Sequence, residues 1–344
     1  MKSKENLDTA RPPLLLSHGP GCFDGTTCAV AVSRYYGTRS LIPHFTHPSQ
    51  LDSIIQKLST TTTNPHDLWI LAMAWKDNKT DLLLHQLIEQ GWRVFWIDHH
   101  RNAIEKPKSE IENINLTGYT ISPEYAASYL LFDFLNTLPQ ISPSAGKWLS
   151  SFEKTVKLAD EHDRWLHDGK EGHAMQLALA IEQLARHGSG LEGYHELLDI
   201  SEDATLTPKL LSAYKNAKKE LEKSLLMAQN SKVEYILDDL NLTILYAKCN
   251  KYSSQVGNTL KASLDNGIIV LFSESDGRYS LRKSNSCKVN LANIATLLGG
   301  GGHPSAAGFQ LSTQEYNPSD FLPKIEAAIK TLHTSHKLNH VAQV

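Results

Sequence analysis

Short apolar runs alternate with amphipathic stretches along the first half of the chain. The apolar runs have the length and residue types of buried strands, and the stretches between them have apolar residues at helical spacing. This alternation is typical of a parallel sheet covered by helices on both faces. The predicted strands are Leu14–Ser17, Ser40–Pro43, Trp69–Ala74 and Arg93–Asp98, and the predicted helices are Cys28–Tyr36, Gln50–Leu58, Asp81–Gln90, Tyr125–Leu138 and Ala145–Glu161.

The pattern changes in the second half. Two more helices are predicted at Ala174–Arg186 and Lys209–Gln229, and Pro208 suits the first turn of the latter. Asn290 is predicted to cap a helix that runs through Leu298 into a glycine run. The strands predicted here are Val233–Leu237, Leu242–Ala247, Gly267–Ser273 and Arg278–Lys283, the last two joined by a turn at Asp276-Gly277.

These patterns predict an α/β protein with two lobes of unequal size. The N-terminal lobe has a mainly parallel sheet flanked by helices, and a helical linker joins it to a smaller C-terminal α/β lobe. The predicted divisions are a flexible N-terminus at 1–13, the first lobe at 14–170, a helical connector at 171–231, the second lobe at 232–335 and a C-terminal tail at 336–344.

Composition narrows the class of protein. A length of 344 residues with 41% hydrophobic residues is enough for two ordinary cores. A formal charge of -3 argues against a protein that coats long nucleic acid through bulk charge, although a short nucleotide remains compatible. No apolar run approaches roughly 18 residues, and the four cysteines form no disulfide or paired zinc pattern. We therefore expect a soluble, cytoplasmic protein with no membrane partner.

The first cluster of candidate site residues directly follows the first predicted strand. His18, Cys22 and Asp24 lie in a glycine-rich turn, and all three residue types can bind a divalent metal. A dinucleotide-binding loop is the rival interpretation, but Pro43-His44-Phe45-Thr46 stands where an acidic partner for the ribose is expected. Taken alone, this segment is compatible both with a functional site and with a simple turn that His18 caps.

A stronger candidate is the triplet Asp98-His99-His100, directly after a predicted buried strand. Open α/β sheets bind their ligands at the carboxyl ends of strands. Because adjacent side chains point in different directions, we expect one histidine to bind metal and the other to contact substrate or donate a proton. Farther along, the acidic run that ends at Asp163 follows a helical pattern, and taken alone it reads as a solvated helix end.

The most specific single segment is the glycine run that precedes His303. Consecutive glycines cost backbone entropy and rarely serve stability, so we expect their N–H groups to hold a phosphate or a base edge. A helix C-cap with a tight turn is the alternative. The candidate substrate-binding residues of the second lobe are Gly300, Gly301, Gly302, His303, Ser280 and Arg282.

The chain contains, in this order, the motifs HxxxCxDG, DHH, an Asp before a Trp, SLR and GGGGHxxAAG. Together they resemble the motifs of the DHH/DHHA1 phosphoesterases. The match covers roughly residues 14 to 312, and it is most similar to the nanoRNase B (oligoribonuclease) branch. The resemblance implies a DHH catalytic lobe, a DHHA1 substrate-binding lobe and two divalent metal ions, most often Mn²⁺.

Carried onto matching positions, the resemblance implies a role for each site residue. His18 and Cys22 would help to hold the first metal, although Cys stands where many members have Asp and need not ligate. The second metal would be held by Asp24, His99 and Asp163. His100 would touch the phosphate or assist the leaving group, and Asp98 would orient a neighbouring histidine. Arg282, the glycine run and His303 would bind the phosphate and the terminal nucleotide of the substrate.

One position departs from the family pattern. The strand that begins at Trp69 should end in a carboxylate that bridges both metals, and this position falls on Ala72. Alanine has no donor atom, and Asp77 lies five residues farther on. We therefore expect this chain to be inactive or weakened, either as an engineered variant or as a natural pseudoenzyme.

The resemblance implies a metal-dependent phosphodiesterase. The low net charge favours very short substrates, so the expected activity is 3′→5′ exoribonuclease action on short RNA, or hydrolysis of linear dinucleotides to mononucleotides. Long duplex nucleic acid is not expected as a partner, and a homodimer is compatible with the resemblance. The alternatives are hydrolysis of a cyclic dinucleotide or a 3′-phosphonucleotide (pAp), and a catalytically dead nucleotide-binding protein.

Overall fold

The computed structural model describes residues 13–61, 64–311 and 322–332. The chain forms two compact units, residues 1–217 and 218–344. Residues 1–12 of the predicted flexible N-terminus and the predicted tail at 336–344 lie outside the described residues. Among the helices that are described, none is both long enough and apolar enough to cross a membrane.

The first unit contains a five-stranded, fully parallel sheet, as the sequence predicts. Its strands lie in the order β2-β1-β3-β4-β5, so that β1 and β3 lie side by side near its centre. The strands are β1 (Pro13–His18), β2 (His44–Thr46), β3 (Asp67–Leu71), β4 (Arg93–Asp98) and β5 (Gly118–Ile121).

Helices cover both faces of this sheet. One face packs on α2, α3 and α5, and the other on α1 and α6. Every residue of α1 is buried, because α6, α7, α8 and α10 all contact it. The helices are α1 (Phe23–Tyr35), α2 (Leu51–Thr61), α3 (Asn78–Glu89), α4 (Arg101–Ile104), α5 (Lys108–Ile114), α6 (Ala127–Thr137), α7 (Pro143–Ser150), α8 (Glu153–Asp163), α9 (His173–His187), α10 (Glu192–Leu198) and α11 (Pro208–Ser231).

Three sequence predictions in this unit are wrong in detail. The strand predicted at Ser40–Pro43 is a loop, and β2 follows it, because hydrogen bonding to β1 begins only at His44. The helix predicted at Ala145–Glu161 is two helices, α7 and α8. The strand predicted at Trp69–Ala74 ends at Leu71, since the backbone turns at Ala72.

The second unit contains a mixed sheet of six strands in the order β10-β11-β9-β8-β7-β6. Only β7 and β8 are parallel, and every other neighbouring pair is antiparallel. The boundary between the two units falls within α11. The strands are β6 (Val233–Leu237), β7 (Leu242–Lys248), β8 (Gly267–Ser273), β9 (Arg278–Lys283), β10 (Gly301–His303) and β11 (Ala306–Gln310), and the helices are α12 (Ser253–Lys261) and α13 (Leu291–Leu297).

The two faces of this second sheet pack against different helices. One face packs on α13 and on the helical residues 322–332. The other face packs on α11 and α12 over β7 and β8. The Asn290 side chain caps α13 as predicted, accepting hydrogen bonds from the N–H groups of Ala292 and Asn293. Strands β10 and β11 were not predicted, because their glycines and alanines lack strand propensity.

Candidate functional site

Three predicted site positions lie in one row at the carboxyl edge of the first sheet. The last row of paired residues across β1, β3 and β4 is Ser17, Leu71 and Ile97. The next residues along these strands are His18, Ala72 and Asp98. Ala72 is further tied to β4, because its N–H donates to the carbonyl oxygen of Ile97 at 3.0 Å. The position where a bridging carboxylate was expected therefore lies between His18 and Asp98.

Beside this row, three side chains from separate elements converge. Asp24 lies in the first turn of α1, His99 follows β4 and Asp163 ends α8. One potential ligand atom from each lies within 4.8 Å of the other two. His99 Nε2 is 3.1 Å from Asp163 Oδ2, and His99 Nδ1 is 3.9 Å from Asp24 Oδ2. These are the residues predicted to hold the second metal.

The amino end of α6 orients this cluster through successive backbone N–H groups. Ala127 N donates to His99 Nδ1 at 3.1 Å, and Ser128 N donates to Asp24 Oδ1 at 2.8 Å. Ala126 N, one residue earlier, donates to Asp160 Oδ1 at 2.7 Å. A helix amino end has unsatisfied N–H donors, and here they bind side chains from α1, α8 and the end of β4.

Charge and burial shift the pKa values of the cluster in opposite directions. Burial raises the pKa of Asp24 to about 6, and the charge of Asp163 adds to the rise. Burial would also raise the pKa of Asp163, but its hydrogen bond with His99 lowers it to about 2. Burial opposes the charged form of His99, yet the same bond raises its pKa to about 9. The bond from Ala127 N requires a lone pair on Nδ1, so it forms only with neutral His99, whose proton then lies on Nε2 toward Asp163.

A second group of side chains lies around His18. His100 Nδ1 and Asp98 Oδ1 are 2.6 Å apart, and the rings of His99 and His100 stack at 4.5 Å. Burial lowers the pKa of His18 to about 4, and the neighbouring His100 charge contributes. His18 is therefore neutral near pH 7, which is the form of imidazole that binds metals. Asp98, predicted to orient a neighbouring histidine, thus has His100 as its hydrogen-bond partner.

The sulfur of Cys22 has a structural contact. Cys22 is the N-cap of α1, and its Sγ accepts a hydrogen bond from Gly25 N at 3.4 Å. Burial, together with the nearby charge of Asp24, raises the pKa of the Cys22 thiol. This geometry favours the cap over the ligand role for Cys22.

Ala72 has an unusual backbone. It is buried and has a φ of +52°, the left-handed region that costs most L-residues roughly 1–2 kcal/mol. Asp and Asn enter this region more readily than Ala. Asp77, the first acidic residue after Ala72 in the sequence, caps α3 by accepting from Lys79 N at 2.9 Å. The conformation at Ala72 is thus better suited to the expected aspartate, and Asp77 does not replace it.

The donor set fits a divalent cation. Two carboxylate oxygens, Asp24 Oδ2 and Asp98 Oδ2, are buried and accept no hydrogen bond from any described residue. A buried carboxylate oxygen without a partner is costly, so a cation beside it would remove a penalty. Carboxylates and a neutral imidazole together suit Mn²⁺ or Zn²⁺.

In the second unit, four of the six predicted substrate-binding residues share one sheet face, whereas Gly302 pairs with Ala307 and lies on the other face. Across β9, β11 and β10, Arg282 pairs with Ala306 and Ala306 with His303. In the next row on this face, Ser280 pairs with Gly308 and Gly308 with Gly301. Because paired residues point to the same face, small side chains separate Arg282 from His303 and Ser280 from Gly301. The face therefore forms a shallow trough with a cation on one side.

Arg282 is held in place by α12. Its Nη2 donates to Ser254 Oγ at 2.7 Å, and its Nη1 donates to the carbonyl oxygen of Leu281 at 2.8 Å. A Cβ at Gly257 would lie 2.6 Å from Arg282 Cγ, so only glycine lets α12 approach this closely. Burial lowers the pKa of Arg282 to about 10, which leaves the guanidinium charged at neutral pH.

The glycine run has two roles in the fold. Gly299 N donates to Thr296 O and Gly300 N to Ala295 O, which is the pattern that ends a helix at a left-handed glycine. A Cβ at Gly300 would overlap the carbonyl oxygen of Gly308. The helix C-cap alternative thus explains the start of the run. At Gly301 nothing lies within 4 Å of an added Cβ, so packing in this unit does not explain that glycine.

Sequence reasoning missed several residues that hold the site. Asp160 and the N–H groups of Ala126, Ala127 and Ser128 orient the metal-binding cluster. A signal was present, since Ser122-Pro123-Glu124 shortly before an apolar periodic stretch is typical of a helix start. The sequence does not reveal how close this helix lies to His99, because that distance is set by tertiary packing.

Comparisons with known proteins agree with the motifs. Residues 241–333 match the model of the DHHA1 domain. Over 316 residues the chain is 21% identical to the oligoribonuclease NrnB of Bacillus subtilis (strain 168), an alignment that covers 88% of this chain and 73% of that protein. These findings confirm the resemblance to the DHH/DHHA1 phosphoesterases.

Solved structures confirm the fold. The pGpG-specific phosphodiesterase PggH from Vibrio cholerae aligns with a TM-score of 0.52 at 14% identity, covering 94% of this chain and 99% of that one. RecJ from Thermus thermophilus, in complex with Mn²⁺, aligns with a TM-score of 0.52 at 15% identity, covering 94% of this chain and 52% of that one. At these identities the likeness shows the shared α/β architecture.

Proposed function

We propose that this chain, which resembles the DHH/DHHA1 phosphoesterases, is a metal-dependent phosphodiesterase by design. Its substrates would be short RNA or linear dinucleotides, hydrolysed to mononucleotides. We propose further that Ala72 makes it inactive or weak. The first proposal rests on the convergence of Asp24, His99 and Asp163. One oxygen of this cluster, Asp24 Oδ2, is buried and accepts no hydrogen bond from the described residues. The left-handed backbone of Ala72, in register between His18 and Asp98, supports the second.

Each side chain has a proposed task at the metals. Asp24, His99 and Asp163 would hold one ion, and His18 would help to hold the other. Cys22 was expected beside His18, but its contact with Gly25 N supports the cap instead. When bound, a pair of divalent ions would supply charge stabilisation for the attacked phosphate and would lower the pKa of a water from 15.7 to about 7. We propose Mn²⁺ for both positions.

The remaining residues would bind and orient the substrate. His100, held through its Nδ1 by Asp98, would present its other nitrogen to a phosphate oxygen. Arg282, held by Ser254, would donate to a second phosphate group from the trough in the second unit. Gly301 and Gly302 would offer backbone N–H groups, and Ser280 and His303 would contribute polar side chains. These donors would stabilise charge that develops on phosphate oxygens.

A short substrate suits this chain better than a long strand. Its formal charge is -3, so it lacks the broad basic surface that draws long nucleic acid. The relatives point the same way, since NrnB is named as an oligoribonuclease and PggH as a pGpG-specific phosphodiesterase. We propose 3′→5′ release of mononucleotides, with cyclic dinucleotides and pAp as alternative substrates of the same site.

A second candidate function belongs to another class. A chain that keeps the substrate contacts but lacks the bridging carboxylate would bind a nucleotide without cleaving it. Ala72 is the observation that favours this candidate. The two candidates differ in one measurable property, which is turnover once a carboxylate is present at position 72.

The test compares the chain with its Ala72→Asp and Ala72→Asn variants on a 5′-phosphorylated RNA dinucleotide in Mn²⁺. Both side chains suit the left-handed backbone, but only aspartate supplies a charged bridging ligand. We expect turnover to rise by at least about 100-fold with aspartate and to stay near background with asparagine. Release of mononucleotides is followed by chromatography.

Two other results would count against the proposal. Turnover that is equal in the Ala72→Asp and Ala72→Asn variants would show that the bridging carboxylate is not what the chain lacks. If neither variant cleaves the dinucleotide, pAp or a cyclic dinucleotide, while the unchanged chain binds one of them, the nucleotide-binding candidate replaces the enzyme.

A further inference from the structure

Helix α12 borders the trough of the second unit through the residues that hold Arg282. Ser254 Oγ accepts from Arg282 Nη2 at 2.7 Å, and a Cβ at Gly257 would lie 2.6 Å from Arg282 Cγ. Val256 and Leu260 anchor the helix in the apolar core over β7 and β8. The side of α12 that carries Ser254 is therefore fixed beside any group that Arg282 binds.

Asn258, on the same side of α12, has a buried oxygen that lacks a donor. It lies one turn after Ser254, and residues four apart on a helix have Cβ atoms about 5–6 Å from each other. Its Oδ1 is buried and accepts no hydrogen bond from any described residue, although the residue as a whole is partly exposed. A buried acceptor without a donor costs stability, so its place beside Arg282 calls for a reason other than folding.

The missing partner is a donor, which identifies one part of the ligand. A deprotonated phosphate group only accepts hydrogen bonds, so it can pair with Arg282 but leaves Asn258 Oδ1 unpaired. A nucleoside also carries donors, in its ribose hydroxyls and in the N–H groups of its base. The last torsion of an asparagine side chain is soft, so the carboxamide can turn Oδ1 toward such a group.

We propose that Asn258 is a specificity-determining residue, which accepts a hydrogen bond from the nucleoside next to the phosphate on Arg282. This inference rests on the proposed function and deepens it. The second unit then selects a nucleotide over inorganic phosphate chains, because those chains carry no donor for Asn258.

The first test replaces the carboxamide with an apolar group of the same shape. Asn258→Leu removes the acceptor, so the affinity of the full chain for a 5′-phosphorylated RNA dinucleotide in Mn²⁺ should fall by about three- to tenfold. Affinity for the Mn²⁺ complex of pyrophosphate, which offers no donor, should stay the same. Thr259→Val, an isosteric change at the next and exposed residue of α12, is the matched control and should alter neither affinity. Titration calorimetry measures both affinities.

Stability separates this role from a structural one. Because the buried acceptor lacks a donor, Asn258→Leu should leave the melting temperature of the protein without nucleotide at least as high as that of the parent chain. Affinity then falls without a loss of stability. A residue that merely held α12 in place would lose both when it is replaced.

Two truncated dinucleotides identify the source of the donor. One lacks every ribose hydroxyl, and the other lacks both bases. The ligand without the true donor should bind the parent chain and the Asn258→Leu variant equally well, whereas the other ligand should still distinguish them. The pair thus assigns the contact to the ribose or to the base.

The outcomes distinguish this inference from the proposed function. A parent chain that binds no dinucleotide overturns both. A parent chain that binds the dinucleotide no better than Asn258→Leu does overturns the inference alone. The same holds if Asn258→Leu lowers the melting temperature together with the affinity, if it weakens pyrophosphate equally, or if both truncated ligands still distinguish it from the parent chain.

Discussion

Asp24 is the residue on which the candidate metal centre depends most. One of its oxygens accepts from Ser128 N, and the other is buried without a hydrogen bond from the described residues. Such an arrangement is costly in the free protein and becomes favourable when a cation is bound. The same reasoning explains why burial raises the pKa of this carboxyl to about 6.

The first prediction concerns this carboxylate. Asp24→Asn keeps an acceptor for Ser128 N but removes the charge, so we expect Mn²⁺ affinity to fall by at least about tenfold. Titration calorimetry measures this affinity. Asp133→Asn, an exposed change on α6, is the control and should bind Mn²⁺ like the parent chain. Equal affinity in the two variants would exclude Asp24 as a ligand.

At the scale of elements, the amino end of α6 joins the parts of the metal centre. Its N–H groups bind Asp160, His99 and Asp24, which come from three different elements. A small rotation of α6 would move all three side chains at once. The helix therefore positions the ligands although it contributes none of them.

The second prediction tests this positioning. Asp160→Ala leaves the buried Ala126 N–H without its acceptor, which should cost about 1–3 kcal/mol in the free energy of unfolding. Because α6 then loses an anchor, Mn²⁺ affinity should also fall, by about tenfold. Glu161→Ala, on the next residue of α8, should change neither quantity. Lost stability with unchanged Mn²⁺ affinity would show that Asp160 is structural only.

The third prediction concerns Arg34, a buried cation that holds α10 against α1. Its guanidinium donates to the carbonyl oxygens of Leu197, Leu198 and Ile200. Arg34→Met would leave these acceptors unpaired and should cost about 2–4 kcal/mol in the free energy of unfolding by urea. Arg39→Met changes an exposed arginine near the same Trp148 ring and should cost less than about 1 kcal/mol. Similar losses in both variants would contradict this account.

Much of the element order could be predicted from local pattern. Strands β6, β8 and β9 occur where predicted, because β8 is an almost continuous apolar run, β6 is rich in strand-forming residues and β9 alternates polar with apolar residues. Strand β5 was missed because it is only four residues long and begins with a glycine, although Tyr119, Thr120 and Ile121 favour strands. The break between α7 and α8 was also missed, because it depends on the tertiary contact of Ser151 with Arg34.

The candidate site was predictable in its chemistry more than in its geometry. The motifs named Asp24, His99 and Asp163, and the structure brings these three together. The hydrogen bond that makes Cys22 a helix cap depends on the distance between its Sγ and Gly25 N. Residue type alone does not predict that distance. The row that places Ala72 between His18 and Asp98 depends on strand register, which is also a tertiary property.

At the scale of the whole molecule, the chain divides its chemistry between two units. The predicted metal ligands all lie in residues 1–217, and the residues proposed to bind phosphate lie in residues 218–344. Each unit has its own hydrophobic core. The cytoplasmic location and the homodimer stay predictions.

The fourth prediction uses this division. A fragment of residues 208–344 starts at the first residue of α11 and contains the complete second core, so we expect it to fold cooperatively. Mn²⁺ should raise the melting temperature of the full chain and leave that of the fragment unchanged, since the ligands belong to the first unit. Calorimetry with and without Mn²⁺ checks both statements. A fragment stabilised as much as the full chain would place the metals elsewhere.

The left-handed turn at Ala72 has a practical consequence. On the proposed function, an enzyme that binds its substrate but lacks one ligand for the reaction leaves that substrate uncleaved, so a nucleotide bound to this chain would be recovered intact. Nucleotides that stay bound when it is purified from a cell extract in Mn²⁺, and that are absent from an Arg282→Ala preparation, would be its natural ligands. Their mass spectrum would report the substrate directly, without a prior choice of which one to test.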